Sequence, residues 1–220
     1  MKSETEKIIF SLKFPIYFAI LIFFIKIIEV IFFDSFVEYG VLPRETEGLI
    51  GIVTSPLIHG SFSHLFSNIP PFLVLSIGIF YFYERLAYRI FFSIYFFSNI
   101  LVWIFARTSY HIGASGIVYG MASFLFVSGI IRKSKRLLAL SLLIVFWYGS
   151  MIWGIIPMKI GVSWESHLFG MLVGILISFY FKDKSLKHSR KEENMEEKTN
   201  YNYSADKIEV EYSLDKKTKK

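Results

Sequence analysis

Residues 113–131 read GASGIVYGMASFLFVSGII. These 19 positions carry no charge and come close to the ~20 apolar residues a helix needs to cross the ~30 Å hydrocarbon layer of a bilayer. Outward from this run the pattern repeats. Apolar stretches over Phe14–Phe33, Phe62–Tyr83, Ile90–Phe105, Leu137–Ile156 and Trp164–Phe181 bring the expected spans to six. The composition agrees: of 220 residues, 54% are hydrophobic and 19% aromatic, 24 of them Phe, more apolar surface than a soluble core of this length buries. A purely soluble enzyme is therefore excluded. With no cysteine there is no disulfide framework, thiolate zinc site or cysteine nucleophile. The fold class expected is an all-α membrane protein, a six-helix bundle.

Charge is unevenly distributed. Residues 182–220 contain 11 Lys and Arg and 9 Asp and Glu, so 20 of 39 positions are charged, against 13 and 9 in residues 1–181. Such a segment cannot bury enough apolar area to offset its chain entropy, and it is expected to be a disordered polar tail. The domain division that follows is 1–13 as a cytoplasmic N-terminus, 14–181 as the membrane domain and 182–220 as a cytoplasmic tail. The N-terminus MKSETEKIIF lacks the features of a removable signal peptide, so the first span is expected to stay. Basic residues of short loops collect on the cytoplasmic side. Placing Lys2, Lys7 and Lys13 inside also puts Arg85, Arg89, Arg132, Lys133, Lys135, Arg136 and the tail inside, leaving Arg44, Arg107 and Lys159 outside. Both termini are expected to be cytoplasmic. Lys26 and Glu29, three apart within the first span, are read as a structural pair able to snorkel.

Other ionisable and polar groups within spans converge. The second span opens with HGSFSHLFSN, in which His64 and Asn68 are four apart and share a helix face, while His59 is rotated by ~140° from His64 and is expected to brace the loop before it. In the fourth span Ser115 and Tyr119 share a face, and Gly116 with Gly120 forms a small-residue pair that admits a neighbouring helix. The sixth opens with SWESHLFGMLVG, aligning His167, Gly170 and Gly174 on one face. Two glycine-faced helices, one bearing a serine and one a histidine, predict direct contact. With the topology above, spans two, four and six all run inward from the outer face, so these groups lie at one shallow depth. A serine becomes a nucleophile when a neutral imidazole takes its proton. The oxyanion then needs fixed donors, which His64, Asn68 and the Ser115 backbone N–H can provide. Glu165, two residues from His167, should point off the shared face, so a dyad is expected rather than a triad, with Tyr119 placed to stack on the imidazole. Pro70-Pro71 should kink or unwind the second span.

This constellation resembles the rhomboid family of intramembrane serine proteases. The resemblance rests on Gly113-Ala114-Ser115-Gly116 as a GxSG motif, on His59, His64 and Asn68 in the second span, and on His167, Gly170 and Gly174 in the sixth, and covers about residues 14–181. It implies Ser115 as nucleophile, His167 as general base, an oxyanion hole lined by His64, Asn68 and Ser115, and supporting roles for Tyr119, His59, Gly113, Gly116, Gly170 and Gly174. The implied substrate is a transmembrane helix of another protein, entering from the bilayer and cut near the outer face, with no cofactor, metal or nucleic acid. Because a membrane helix shields its own backbone, helix-weakening small residues near the cut are expected to favour cleavage. One departure stands in the first outer loop, DSFVEYGVLPRETEGLIG, which lacks the Trp-Arg pair of many rhomboids and offers only Pro43-Arg44. The bulky fifth span, with Phe146, Trp147, Tyr148 and Trp153, is read either as a movable gate or as lipid-facing packing. His111 and His188 are read as a buried core histidine and a tail residue.

Three other classes fit the sequence less well. Zinc on three imidazoles lacks an HExxH pattern on any span. A transporter would place its polar groups near the midplane and on paired broken helices. The remaining alternative is a rhomboid-like protein that binds transmembrane clients without cutting them, whose signature would be loss of the serine or histidine; both are present. A prokaryotic cytoplasmic membrane is the expected location.

Overall fold

The computed structural model describes residues 3–32, 35–147, 153–156 and 163–182. The chain divides into two units, Met1–Tyr180 and Phe181–Lys220, and only two residues of the second are described. The polar tail expected over 182–220 therefore lies almost wholly outside the described residues. Among these, seven α-helices and no strand are found: α1 (Glu4–Ile31), α2 (Gly51–Thr54), α3 (Phe62–Phe82), α4 (Ala87–Phe105), α5 (Ser115–Ile131), α6 (Lys135–Trp147) and α7 (Trp164–Tyr180). Helices α1, α3 and α4 are long and apolar enough to cross a membrane, and α5 and α7 are shorter apolar helices. The molecule is a multi-span helical membrane bundle.

Helix α1 starts ten residues before the apolar run that signals it. Ser3 caps it by accepting from the Glu6 N–H at 3.2 Å, while Glu6 Oε2 accepts from the Ser3 N–H at 2.8 Å, a reciprocal capping box that stabilises a start in polar sequence. The polar turn then clasps the far end of α3. The Tyr81 hydroxyl donates to Glu4 at 3.1 Å, and the Lys7 ammonium lies 4.4 Å from the centre of the Tyr81 ring.

Phenylalanine builds the contact between α1, α3 and α4. Phe14 stacks on Phe80 and meets Phe91 edge-on, with centroids 5.0 and 4.8 Å apart, and Phe18 stacks on Phe72 at 5.0 Å. Such pairs add ~0.5–1.5 kcal/mol each beyond the area they bury. Lys26 and Glu29 do form a pair, at 2.7 Å, but the pair is buried in the protein rather than snorkelling. The other Glu29 oxygen accepts the Phe36 N–H at 3.2 Å and ties the start of the first loop to α1.

Helix α3 does not unwind at Pro70 and Pro71: it remains helical from Phe62 to Phe82. Two backbone donors are missing there, yet Leu65, Asn68, Pro71, Phe72 and Leu75 are buried and hold the helix by packing. The carbonyl of His64 accepts from Ser67 Oγ and Asn68 Nδ2, each at 2.8 Å, so the side chains strengthen the turn just before the prolines.

The loop after α1 is docked without a Trp-Arg pair. Arg44 donates to the carbonyls of Ile104 (3.3 Å) and Ala106 (2.7 Å) and to Thr108 Oγ1 (3.0 Å), capping the C-terminal end of α4. The Trp103 indole donates to the Glu45 carbonyl at 3.0 Å, and Val41 pairs with His111 in an isolated antiparallel bridge. Arg44 has φ +65, the left-handed region that favours glycine. Arg44→Ala should thus lose the fork and keep the backbone strain, costing about 1 kcal/mol, whereas Arg44→Gly should recover part of that loss. Thermal unfolding in detergent distinguishes the three proteins, and equal melting temperatures would show that the fork contributes nothing.

Candidate active site

The site lies where α5 and α7 cross. A Cβ on Gly170 would collide with the carbonyl of Gly116, and one on Gly174 with that of Gly120. In the other direction, a Cβ on Gly116 would approach the Ser166 carbonyl to 3.0 Å, and one on Gly120 the Gly170 carbonyl to 3.0 Å. The two small-residue pairs thus interleave, and main chain meets main chain. Ser123 Oγ spans the same crossing, 2.9 Å from the Met171 carbonyl. This close approach brings Ser115 Oγ to 2.7 Å from His167 Nε2. Both residues are near the N-terminal ends of their helices, Ser115 as the first residue of α5 and His167 as the fourth of α7.

Two groups hold the imidazole, and a third contact holds the His167 main chain. Tyr119, one turn after Ser115, stacks on it with centroids 4.2 Å apart and planes 8° apart. The Gly154 carbonyl, in a short 3-10 turn over Trp153–Ile155, lies 2.8 Å from His167 Nδ1. Ser163 begins the turn leading into α7, its carbonyl accepting the His167 N–H at 3.4 Å. Sequence reading missed Gly154 and Ser163. Ser163 stands in the position of a helix cap and was legible as one; a glycine in an aromatic run carries no signal for the contact it makes.

On the other side of Ser115, Gly113 has φ +105 and a Cβ there would run into the His64 ring, 2.7 Å from Cε1. Glycine is required at this position both by conformation and by space. His64 thus lies against the backbone that leads into Ser115. Asn68 gives one amide hydrogen to the His64 carbonyl, and the amide's second hydrogen is not committed by that bond. The Ser115 N–H stands at the first position of α5, where a helix leaves its backbone donors without a partner of its own.

His59 also reaches a segment beyond the loop before α3. Its Nε2 accepts the Ala114 N–H at 3.3 Å, so the residue steadies the entry to α5. Burial first, then the neighbouring His64 ring 5.0 Å away, push its pKa down to about 3. The folded state therefore binds fewer protons than the unfolded chain between about pH 6.5 and 3. Stability is fully present above pH 6.5 and should fall as pH drops through that window, by up to about 1.4 kcal/mol per pH unit for one proton. Melting temperatures between pH 7.5 and 4 test this: His59→Gln, which cannot titrate, should flatten part of the decline, and an unchanged profile would remove His59 as its source.

Glu165 is buried and meets Arg107 Nε at 3.2 Å, away from the imidazole edge that faces Gly154. Among the described residues, the hydrogen-bond partner of His167 Nδ1 is the Gly154 carbonyl and not an acid. His111 is a hydrogen-bonded buried histidine, with Nε2 3.0 Å from the Arg107 carbonyl and Nδ1 2.5 Å from Ser163 Oγ. Ser163 Oγ in turn lies 2.6 Å from Ser166 Oγ. Of the aromatic run read as a gate or as packing, Phe146 is exposed on α6 and Tyr148 lies outside the described residues.

A helical membrane bundle with a serine and a histidine in hydrogen-bond contact at its crossing defines a narrow class. The chain belongs to the rhomboid family: the family model described as the Rhomboid domain matches residues 46–184, more than half of the chain. It is also similar, at 28% identity over 176 residues, to uncharacterized proteins of Mycobacterium bovis and Mycobacterium tuberculosis, covering 74% of this chain and 71% of theirs. An uncharacterized protein of Mycobacterium leprae is 28% identical over 180 residues, covering 74% and 68%.

Proposed function

We propose that the protein is an intramembrane serine endopeptidase that cleaves transmembrane helices of other membrane proteins near the outer membrane face. The observation that carries this reading is the 2.7 Å approach of Ser115 Oγ to His167 Nε2 between α5 and α7. His167 Nε2 takes the hydroxyl proton as Ser115 Oγ attacks the scissile carbonyl, and returns it to the leaving amine. Water then enters from the outer side, is deprotonated by the same nitrogen, and releases the acyl group from Ser115. The Ser115 N–H, His64 and Asn68 donate to the oxyanion of both tetrahedral intermediates, each such donor contributing on the order of 10²–10³ in rate. Tyr119 holds the imidazole plane, and His59 and Gly113 hold the entry to α5.

In this reading residues 14–181 form six spans with both termini on the cytoplasmic side of a prokaryotic membrane, and 182–220 form a polar cytoplasmic tail. Basic residues clustered at 132–136 and in the tail support the orientation. The test is to purify the protein in detergent, label it with a fluorophosphonate and follow cleavage of a model transmembrane substrate, comparing wild type with Ser115→Ala and His167→Ala. Labelling and cleavage present in wild type and absent from both variants support the protease. A folded wild type that neither labels nor cuts rejects it and directs attention to client binding without cleavage.

A further inference from the structure

We infer that the backbone carbonyl of Gly154 serves as the third member of the catalytic array, fixing the His167 tautomer in the role an acid fills in a triad. The inference rests on the protease reading and deepens it. A neutral imidazole carries one proton, and a carbonyl oxygen is an acceptor only. With Gly154 O 2.8 Å from Nδ1, that nitrogen must be the one bearing hydrogen, which leaves the Nε2 lone pair facing Ser115 Oγ at 2.7 Å. The opposite tautomer would set two lone pairs against each other at Nδ1 and present N–H to the serine, where it could accept no proton. When Nε2 is protonated during attack, the same carbonyl stabilises the imidazolium through the Nδ1–H bond.

Stacking by Tyr119 cannot do this alone. A ring 4.2 Å away and nearly parallel fixes the plane of the imidazole, yet it is indifferent to rotation within that plane and to which nitrogen holds the proton. Nor does Glu165 supply the missing acceptor, since it pairs with Arg107. The glycine is itself demanded by the arrangement: a Cβ at 154 would collide with the Tyr119 hydroxyl and stand 3.1 Å from His167 Nδ1. Gly154, Tyr119 and His167 are thus mutually packed, and only a residue without a side chain brings its carbonyl to that nitrogen. Gly154 is a positioning residue, acting on substrate through His167.

The direct measurement is the ¹⁵N spectrum of histidine-labelled protein in detergent, with the His167 signals assigned by their loss in His167→Ala. Wild type should show a protonated Nδ1 and an unprotonated Nε2. Ser115→Ala should show the same, because the carbonyl sets the tautomer whether or not the hydroxyl is there. A protonated Nε2 in wild type, or a switch to it in Ser115→Ala, overturns the inference. Gly154→Ala should lower kcat at least tenfold with little change in KM and should mix the two tautomers, and adding Tyr119→Phe, which removes the colliding hydroxyl, should restore part of kcat. Gly154→Ala with wild-type rate and tautomer also overturns it. The two readings fail separately: a wild type that labels with fluorophosphonate while carrying Nε2–H refutes the tautomer assignment alone, and one that keeps Nδ1–H without labelling refutes the protease alone.

Discussion

Ser115→Ala and His167→Ala are each expected to lower the rate of cleavage by on the order of 10⁴-fold or more, and the double variant to lower it no further. The reason, on the proposed protease reading, is that the two side chains act as one device. Without the imidazole, the serine hydroxyl keeps its proton and is a poor nucleophile; without the hydroxyl, the imidazole has nothing to activate at 2.7 Å. Residues that work as a unit are grossly non-additive, and removing either forfeits nearly all that the pair contributes. What survives comes from oxyanion donors and substrate positioning, so His64→Ala on the Ser115→Ala background should still reduce any residual rate. The measurement is single-turnover cleavage of a transmembrane substrate in detergent or liposomes. Additive losses in the double variant would mean that serine and histidine serve separate steps, and the dyad would have to be abandoned.

Gly170→Val should be the most damaging substitution outside the dyad. Its side chain would be built into the carbonyl of Gly116 on α5, and no rotamer of valine avoids its own Cβ. Backbone cannot yield as a flexible side chain does, so α7 must move away from α5. Overpacking of this kind typically costs ~1–3 kcal/mol, and a contact against main chain lies at the upper end. The distance from Ser115 to His167 would open with it, and a displacement of ~1 Å is enough for a 10²-fold loss in rate. Gly170→Ala should fall between wild type and Gly170→Val in both melting temperature and cleavage. If Gly170→Val folds with wild-type stability and cuts at the wild-type rate, the glycine crossing does not determine the site.

Much of this architecture was legible before the fold was known. The expected starts at Phe62 and Trp164 coincide with the first residues of α3 and α7, because each follows a serine and opens an unbroken apolar run. The fourth span was placed two residues early, since Gly113 belongs to the loop and its positive φ ends any helix there. The early start of α1 was written in the Ser3 and Glu6 capping box, but a search for apolar runs passes over a helix that begins in polar residues. The meeting of Ser115 with His167 could be read from spacing, because helical faces follow from sequence separation. The partners of His59 and His167 Nδ1 could not. They are loop backbone atoms, brought there by tertiary packing, and no periodicity announces them.

The glycine crossing also bears on how this protein should fail. Side chains in a membrane protein repack as lipid, detergent or temperature changes, and a site spaced by them would drift. Here the gap between nucleophile and base is set by Cα atoms resting on carbonyls, a spacer with no rotamers to exchange. Activity should accordingly rise smoothly on warming, as any barrier-limited rate does, and then vanish together with the helical signal, in one step, like a latch that is either closed or open.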